Sequence, residues 1–217
     1  MSPTILSAQA LLFDFDGVLV DSFAVVERVW TEWADDRGVD RQVLEHIHGV
    51  RAIELVQQLV PHLDAEAEHD HLEQREIDLV HEARAMPGAA ELLAGLPTDR
   101  WAIVTSGSRR LATNRLEAIG LPVPDVFVTA DDVAEGKPAP DPYLLGAERL
   151  GFDPRDCVVV EDAPAGVLAG RRAGMRVIAV STTHDPAGFD GPVAVIDGVA
   201  SLRCTVADDG SLRLTAV

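Results

Sequence analysis

The 217-residue sequence lacks several features that would point to particular protein classes. It has only two cysteines, Cys157 and Cys204, far apart and without the spacing of metal ligands, so it predicts neither a disulfide framework nor a zinc site. It also lacks a basic stretch followed by a long apolar run, and no segment approaches the ~20 apolar residues that span a bilayer. We therefore expect a globular protein of the reducing cytoplasm with no membrane partner.

Basic residues are also scarce in comparison with acidic ones. The chain carries 18 Lys and Arg residues against 36 Asp and Glu residues, which gives a formal net charge of −18. Without a basic surface, the chain is not expected to bind nucleic acid. An acidic protein that acts on an anionic substrate must supply local positive charge from a metal ion, a lysine or backbone N–H groups.

Short apolar segments that end in polar residues indicate the strands of a buried parallel sheet. The clearest span residues 10–15, 101–105 and 157–160, and further strands are predicted at 126–128, 176–180 and 193–196. Helices are predicted between them, at 111–119 and 163–173. This alternation predicts the α/β class, with a doubly wound, Rossmann-like parallel sheet flanked by helices.

Residues 22–85 break that alternation, because they have helical periodicity and no convincing strand. Phe23, Val26, Trp30 and Trp33 are predicted to share one buried helix face. The sequence thus predicts a core domain of residues 1–17 and 86–217, with a small helical domain of residues 18–85 inserted into it. Near the C-terminal end, residues 201–206 and 211–216 predict a hairpin.

Two acidic residues, Asp14 and Asp16, close the first predicted strand. Residues two apart in a strand-to-loop turn can both reach the space beyond the sheet edge. Neighbouring carboxyl groups raise one another's pKa unless a cation lies between them, which suggests a metal site or a division into nucleophile and proton donor. An alternative stays open here, since Asp and Gly are also typical of solvated turns.

Three later segments place polar groups at strand ends or in the loops that follow. The Ser106 hydroxyl and the Gly107 N–H could donate to a phosphoryl oxygen at a helix N-terminus. Lys137 lies in a proline-rich loop that could hold its ammonium group in place, although such a lysine could equally be solvated. Glu161 and Asp162 directly follow a buried strand, where carboxylates need a cation or hydrogen-bond donors.

In this order, an acid pair, a hydroxyl, a lysine and a second acid pair resemble the four sequence motifs of the haloacid-dehalogenase superfamily. The resemblance covers nearly the whole chain, because the helical insert looks like the cap domain that this family carries between its first and second motifs. It implies a core strand order of 5-4-1-2-3, with the first and fourth motifs side by side.

The resemblance also implies a role for each matching residue. Asp14 would be the nucleophile that forms an aspartyl phosphate, and Asp16 would protonate the leaving group and then accept a proton from water. Ser106, Gly107 and Lys137 would hold the phosphoryl oxygens.

The same resemblance implies a magnesium site. Mg²⁺ would be bound by the carboxylates of Asp14 and Asp162 and by the backbone carbonyl of Asp16, with Glu161 close behind them.

Within this superfamily, Asp16 favours phosphatases and phosphomutases, because dehalogenases lack an acid at that position and ion-pumping ATPases have Thr. The segment His48-Gly49-Val50-Arg51 resembles sugar phosphatases of the 2-deoxyglucose-6-phosphatase and glycerol-phosphatase type. Val26 stands where β-phosphoglucomutases usually carry His, which argues against a mutase. We expect a monomeric phosphatase of small sugar or polyol phosphates. The alternatives are a hexose phosphomutase and a non-catalytic binding module.

Specificity is expected to come from the insert. Arg51, with His48 and Glu54, is predicted to face the active site when the insert closes over it and to contact substrate hydroxyls. The alternative for these three residues is an ordinary exposed helix start.

Overall fold

Eleven strands and seven α-helices are found in the computed structural model, which describes residues 5–46 and 49–216. The strands are β1 (Ile5–Ala8), β2 (Ala10–Phe13), β3 (Val20–Asp21), β4 (Arg84–Ala85), β5 (Trp101–Val104), β6 (Val126–Val128), β7 (Cys157–Glu161), β8 (Arg176–Val180), β9 (Ala194–Ile196), β10 (Leu202–Val206) and β11 (Leu212–Ala216). The helices are α1 (Phe23–Arg37), α2 (Ala52–Leu59), α3 (Ala65–Asp78), α4 (Ala89–Ala94), α5 (Arg109–Ile119), α6 (Asp141–Leu150) and α7 (Pro164–Arg172). No helix in these ranges has the length and apolarity required to cross a bilayer.

Six strands form a parallel sheet in the order β6-β5-β2-β7-β8-β9. Counted along the chain and from the other edge, this is 6-5-4-1-2-3, so the predicted order 5-4-1-2-3 is confirmed, with β9 added beyond the fifth strand. The first strand of the core, β2, pairs with β5 on one side and β7 on the other. Because the chain connections reverse direction at β2, a crevice forms at the carboxyl ends of these strands.

Both faces of the sheet are covered by helices, and the central strands are buried throughout. Leu92 of α4 and Leu116 of α5 pack on one face, whereas Tyr143 of α6 and Val167 of α7 pack on the other. The predicted helices are confirmed as α5 and α7. The Ser108 hydroxyl caps α5 by accepting from the Leu111 N–H at 3.1 Å.

The predicted C-terminal hairpin is confirmed as β10 and β11, which pair antiparallel. The sequence did not predict that β11 also pairs with β1, which makes a separate three-stranded sheet. Only Gln9 separates β1 from β2, and β1 contains the polar Ser7, so it lacks the continuous apolar run that begins at Ala10. Between the two strands, the Gln9 N–H donates to the Asp156 carbonyl at 2.7 Å.

The insert forms its own hydrophobic cluster from helices α1, α2 and α3. Trp30 and Trp33 pack edge to face with ring centroids 5.6 Å apart. The predicted face of α1 was partly wrong, because Val25 and Val29 are buried whereas Phe23 is 42% exposed. The first turn of α1 borders a cavity instead of the cluster, and Phe23 therefore lines that cavity.

The chain leaves and re-enters the core through β3 and β4, which pair antiparallel with Val20 opposite Ala85. Val18 and Ala83 belong to the hydrophobic core beneath the sheet rather than to the cluster of the insert. We therefore propose an insert of about residues 21–82, slightly shorter than the 18–85 that the sequence predicted.

Candidate active site

Three carboxylates meet at the carboxyl ends of β2 and β7. Asp14 directly follows β2, Glu161 ends β7 and Asp162 comes next, and the parallel pairing of the two strands sets these positions side by side. Each of the three residues offers a carboxylate oxygen, and these oxygens lie within 4.8 Å of one another. The structure therefore brings together the first and last of the predicted site segments.

Lys137 lies behind this cluster with its side chain only 1% exposed. Its ammonium group donates to Asp14 Oδ1 at 2.5 Å, to Glu161 Oε1 at 2.8 Å and to the Val104 carbonyl at 3.0 Å. The ammonium thus uses its three donors on fixed acceptors. Lys137 is also the only lysine of the chain, and it is not the solvated lysine that was the alternative from the sequence.

Glu161 is fully buried, and both of its carboxylate oxygens are already occupied by donors. Oε1 accepts from Lys137 and from the Tyr143 hydroxyl at 3.0 Å, and Oε2 accepts from the backbone N–H groups of Asp162 and Ala163. Gly166 leaves the space for this carboxylate, since a Cβ there would lie 1.5 Å from Oε1. Glu161 is thus held rigidly and orients Lys137.

Ionisation is unfavourable for the carboxyl groups of this cluster. Burial, together with the charges of Glu161 and Asp16, raises the pKa of Asp14 to about 7 against the opposing effect of Lys137. Burial also raises the pKa of Asp162 well above its usual range, and Glu161 and Asp14 raise it further. With all three buried carboxylates ionised, one ammonium group would leave an excess of negative charge, which a divalent cation would offset.

The oxygens that remain for a cation belong to Asp14 and Asp162. Lys137 occupies Oδ1 of Asp14, and the Thr183 hydroxyl donates to Oδ2 of Asp162. Within the part of the chain that the structure describes, no donor is found on the second oxygen of either carboxylate. Two carboxylates combined with substrate oxygens and waters are ligands that suit a hard divalent ion. The donor set therefore fits a divalent metal site.

Asp16 lies at the mouth of the crevice, with its side chain 31% exposed. Its Oδ1 accepts from the Ser22 hydroxyl at 2.5 Å and from Arg115 Nη1 at 2.7 Å. The turn that carries it needs Gly17, which has a φ of 77° and whose Cβ, if present, would lie 2.0 Å from Asp162 Oδ2. This close approach fixes Asp16 near the carboxylate cluster.

Ser106 and Gly107 follow β5 and line the same crevice. The Ser106 hydroxyl donates to the Gly49 carbonyl of the insert at 3.1 Å, and the Gly107 N–H donates to Thr105 Oγ1 at 3.1 Å. The predicted phosphoryl contact of Ser106 thus requires its hydroxyl to rotate away from Gly49.

A cavity of about 250 Å³ separates the strand ends from the insert. Its inner end is acidic, and much of the wall toward the insert is apolar. Among the described residues that line it, Arg115 is the only cation. The apolar lining residues include Phe23, Val26, Trp30, Val50, Met86 and Leu111.

The structure corrects the expected placement of Arg51 and Glu54. The Arg51 guanidinium donates to the carbonyls of Ala130, Val133 and Ala134 at 2.9, 2.5 and 2.9 Å, and neither Arg51 nor Glu54 lines the cavity. Three carbonyls converge in this tight turn and match the planar fork of the guanidinium. Arg51 therefore fastens the insert to the core, and the third expected residue, His48, lies outside the described residues.

Two ionisable side chains beside the cavity, Arg115 and Glu76, were not predicted from the sequence. Arg115 Nη2 donates to Glu76 Oε2 at 2.5 Å, and both residues are buried. A signal was available, because Arg115 follows Ala112 by three positions and precedes Leu116 on the apolar face of α5, where a charge is unusual. Glu76 likewise follows the buried Leu72 at helical spacing in α3.

Comparison with known proteins agrees with this geometry. Residues 8–174 match the family of haloacid dehalogenase-like hydrolases. Hexitol phosphatase A of Escherichia coli is 44% identical over 94% of this chain and 97% of its own length. Glycerol-1-phosphate phosphohydrolase 2 of Saccharomyces cerevisiae is 36% identical over 84% of this chain and 78% of its own.

Proteins of lower sequence identity are also similar to this chain. β-Phosphoglucomutase of Bacillus subtilis is 28% identical over 84% of this chain and 87% of its own. A crystal structure of a hydrolase from Pseudomonas syringae superposes with a TM-score of 0.80, at 28% identity, over 88% of this chain and 94% of that one. The family match spans well over half of the chain and includes all four predicted motifs, so this protein belongs to the haloacid dehalogenase-like hydrolases.

Proposed function

We propose that this protein is a magnesium-dependent phosphatase that hydrolyses small sugar or polyol phosphate monoesters through an aspartyl-phosphate intermediate. The observation that carries the proposal is the meeting of Asp14 and Asp162 at one end of a cavity, with Lys137 behind them and Asp16 at the mouth. The names of the hexitol and glycerol phosphate relatives support a polyol or sugar phosphate as the substrate.

Magnesium would be held by the carboxylates of Asp14 and Asp162 and by the backbone carbonyl of Asp16. When bound, it would offset the negative charge of the cluster and of the phosphoryl oxygens. Glu161 would not be a ligand, because donors already occupy both of its oxygens. Its part would be to hold Lys137 beside Asp14.

The side chains of the chain divide the reaction between them. Asp14 attacks phosphorus, so that a bond from its carboxylate forms while the bond to the leaving alkoxide breaks. Asp16 gives its proton to that alkoxide and later takes a proton from the water that releases phosphate. Lys137 stabilises the charge on the phosphoryl oxygens through its own positive charge, since its three donors stay on protein acceptors. The Gly107 N–H and the Ser106 hydroxyl would donate to these oxygens after leaving Thr105 Oγ1 and the Gly49 carbonyl.

The cavity favours a phosphatase over the alternative, a hexose phosphomutase. A mutase that works through a bisphosphate has to bind a second phosphate away from the nucleophile, and this needs cationic side chains. Among the described lining residues the only cation is Arg115, which is already paired with Asp16 and Glu76. The phosphatase relatives are also more similar in sequence than the mutase, at 44% and 36% against 28% identity.

We also propose that the enzyme works as a monomer in the reducing cytoplasm, without nucleic-acid or membrane partners. Both cysteines are unpaired in the structure. Burial raises the pKa of Cys157 to about 12 and that of Cys204 to about 11, so neither forms the reactive thiolate at neutral pH. The large negative charge supports the lack of polyanionic partners.

A substrate panel tests the proposal. Phosphate release is measured from sorbitol 6-phosphate, 2-deoxyglucose 6-phosphate, glycerol 1-phosphate and β-glucose 1-phosphate, with and without glucose 1,6-bisphosphate. We expect steady release from at least one polyol or hexose phosphate without bisphosphate, stopped by EDTA and restored by Mg²⁺. Isomerisation of glucose 1-phosphate that requires the bisphosphate would instead establish the mutase, and phosphate release that EDTA does not affect would reject the metal site.

A further inference from the structure

A buried arginine joins the core to the insert directly beside Asp16. Arg115 of α5 has a side chain that is only 5% exposed, and its two terminal nitrogens reach opposite ways. Nη1 donates to Asp16 Oδ1 at 2.7 Å, and Nη2 donates to Glu76 Oε2 at 2.5 Å. The core residue Asp16 and the insert residue Glu76 are thereby linked through one guanidinium.

This contact selects one of the two oxygens of Asp16. Oδ1 accepts from both Arg115 and Ser22, whereas no hydrogen bond to Oδ2 is found within residues 5–46 and 49–216. A carboxyl group held through one oxygen can carry its mobile proton on the other. The two donors on Oδ1 thus fix the direction in which Asp16 can give or accept a proton.

Glu76 holds the far end of the guanidinium. It is 94% buried, and its carboxylate also receives a hydrogen bond from the Trp30 side chain of α1. Desolvation raises the pKa of Glu76, although the charge of Arg115 opposes this effect. A buried ion pair of this kind rarely adds net stability compared with apolar residues of similar size, so its presence beside Asp16 calls for a role other than holding the fold together.

A second arginine of the same helix shows that the ion pair is not needed merely to attach the insert. Arg110 of α5 contacts Gln74 and lies 3.9 Å from Glu73, both in α3, but it is exposed and does not touch Asp16. The Ser108 hydroxyl adds a further link to Glu73 at 2.9 Å. The interface between α3 and α5 therefore has other polar contacts, and Arg115 differs from them because it also contacts Asp16.

We propose that Arg115 is a positioning residue that orients Asp16 for proton transfer to the leaving group, and that Glu76 makes this orientation depend on the insert being seated over the site. The inference rests on the proposed phosphatase activity. In the first half-reaction, the bond between Asp14 and phosphorus forms, the bond between phosphorus and the leaving oxygen breaks, and the proton on Asp16 Oδ2 moves to that oxygen.

The proposal predicts a dependence on the leaving group. An alkoxide must be protonated as it departs, whereas p-nitrophenolate is stable as an anion and needs no proton. A loss of orientation at Asp16 should therefore slow formation of the phosphoenzyme from a polyol phosphate far more than from p-nitrophenyl phosphate. Damage to the fold, to the nucleophile or to the phosphate site would slow both.

The experiment measures the rate of phosphoenzyme formation by rapid quench with sorbitol 6-phosphate and with p-nitrophenyl phosphate, in Mg²⁺. Arg115→Met should slow the first by about 100-fold or more, the range of general acid catalysis, and the second by less than about 3-fold. Asp16→Asn removes the acid itself, so it sets the largest difference between the rate losses with the two substrates that this mechanism can produce. Arg110→Met, which removes a contact of the insert with α5 at an exposed site, should change neither rate by more than about 3-fold, because its contacts are exposed.

If Arg115→Met does not fold, the double variant Arg115→Met/Glu76→Gln replaces it, because it leaves no unpaired buried charge. The same losses in the two rates of phosphoenzyme formation are expected for it. Equal losses with the two substrates, or no loss with either, would overturn the role of Arg115. If wild-type enzyme releases no phosphate from any member of the substrate panel, it is the proposed function that fails, so the two failures are distinguishable.

Discussion

Replacement of the nucleophile should stabilise the metal-free protein while it abolishes turnover. Asp14 is only 5% exposed, and burial raises its pKa from 3.8 to about 7. In the metal-free protein, the folded state therefore binds a proton that the unfolded state releases between these two pH values. As the pH rises through this window, ionisation of Asp14 makes the folded state progressively less stable. Asp14→Asn removes that penalty, because the amide is neutral at every pH.

The size of the gain follows from the same pKa. The difference between 3.8 and about 7, at ~1.4 kcal/mol per pH unit, corresponds to about 4 kcal/mol above pH 7. Relaxation of the surroundings around the charge reduces this value, and we expect the variant to be more stable by on the order of 2–4 kcal/mol at pH 8. For a chain of this size, each kcal/mol raises Tm by about 2–4 °C, so the expected increase is about 4–16 °C.

Thermal unfolding in EDTA at pH 5 and pH 8 measures this effect. The advantage of Asp14→Asn over wild type should grow by about 2–3 kcal/mol between the two pH values, because wild-type Asp14 is mostly protonated at pH 5. Saturating Mg²⁺ should reverse the order, since wild type keeps the ligand that the variant lacks. A variant that is less stable than wild type at pH 8, or an advantage that is equal at both pH values, would refute the account of the carboxylate cluster.

Three further changes test other parts of the structure. Gly166→Ala places a Cβ 1.5 Å from the fixed carboxylate of Glu161. We expect urea unfolding to show that the free energy of unfolding falls by about 2 kcal/mol or more, and we expect kcat to fall. The control Gly95→Ala, at a helix end with its nearest contact at 3.5 Å, should be nearly neutral. Burial would raise the pKa of Asp132, but hydrogen bonds from Thr129 and Arg149 lower it to about 2. Asp132→Asn should therefore reduce the free energy of unfolding by about 2 kcal/mol at pH 7, and the difference from wild type should shrink as pH falls from 4 toward 2. A difference that stays constant with pH would contradict this. Arg51→Met leaves three carbonyls without their donor, so hydrogen exchange should accelerate in residues 130–136, and unchanged exchange would show that Arg51 does not hold this turn.

The sequence predicted the sheet well because buried parallel strands are short apolar runs with polar groups at their carboxyl ends. Asp14, Ser106 and Asp162 were found from that pattern alone, whereas the strand order came from the family resemblance. The pattern missed β1, because its four residues include the polar Ser7 and do not form a continuous apolar run. It also misplaced the buried face of α1, because apolar residues can line a cavity as readily as a core.

Contacts between the insert and the core were beyond the sequence pattern. Arg115 and Glu76 are 39 positions apart, and their meeting depends on how α3 and α5 cross. The periodicity of each helix shows a charge on an apolar face, but it does not show which opposite charge lies across the interface. Arg51 was misplaced for the same reason, because its three acceptors are backbone carbonyls about 80 positions away, and carbonyls leave no trace in residue identity.

The burial of Lys137 makes the native protein unusual in its surface chemistry. Since this is the only lysine and its side chain is 1% exposed, amine-selective acylating reagents meet no ε-amino group on the folded surface. Apart from the α-amino terminus, attachment of such a label requires the carboxylate cluster to open first. The rate of lysine acylation, followed by mass spectrometry, therefore reports directly how often the catalytic centre is exposed to solvent.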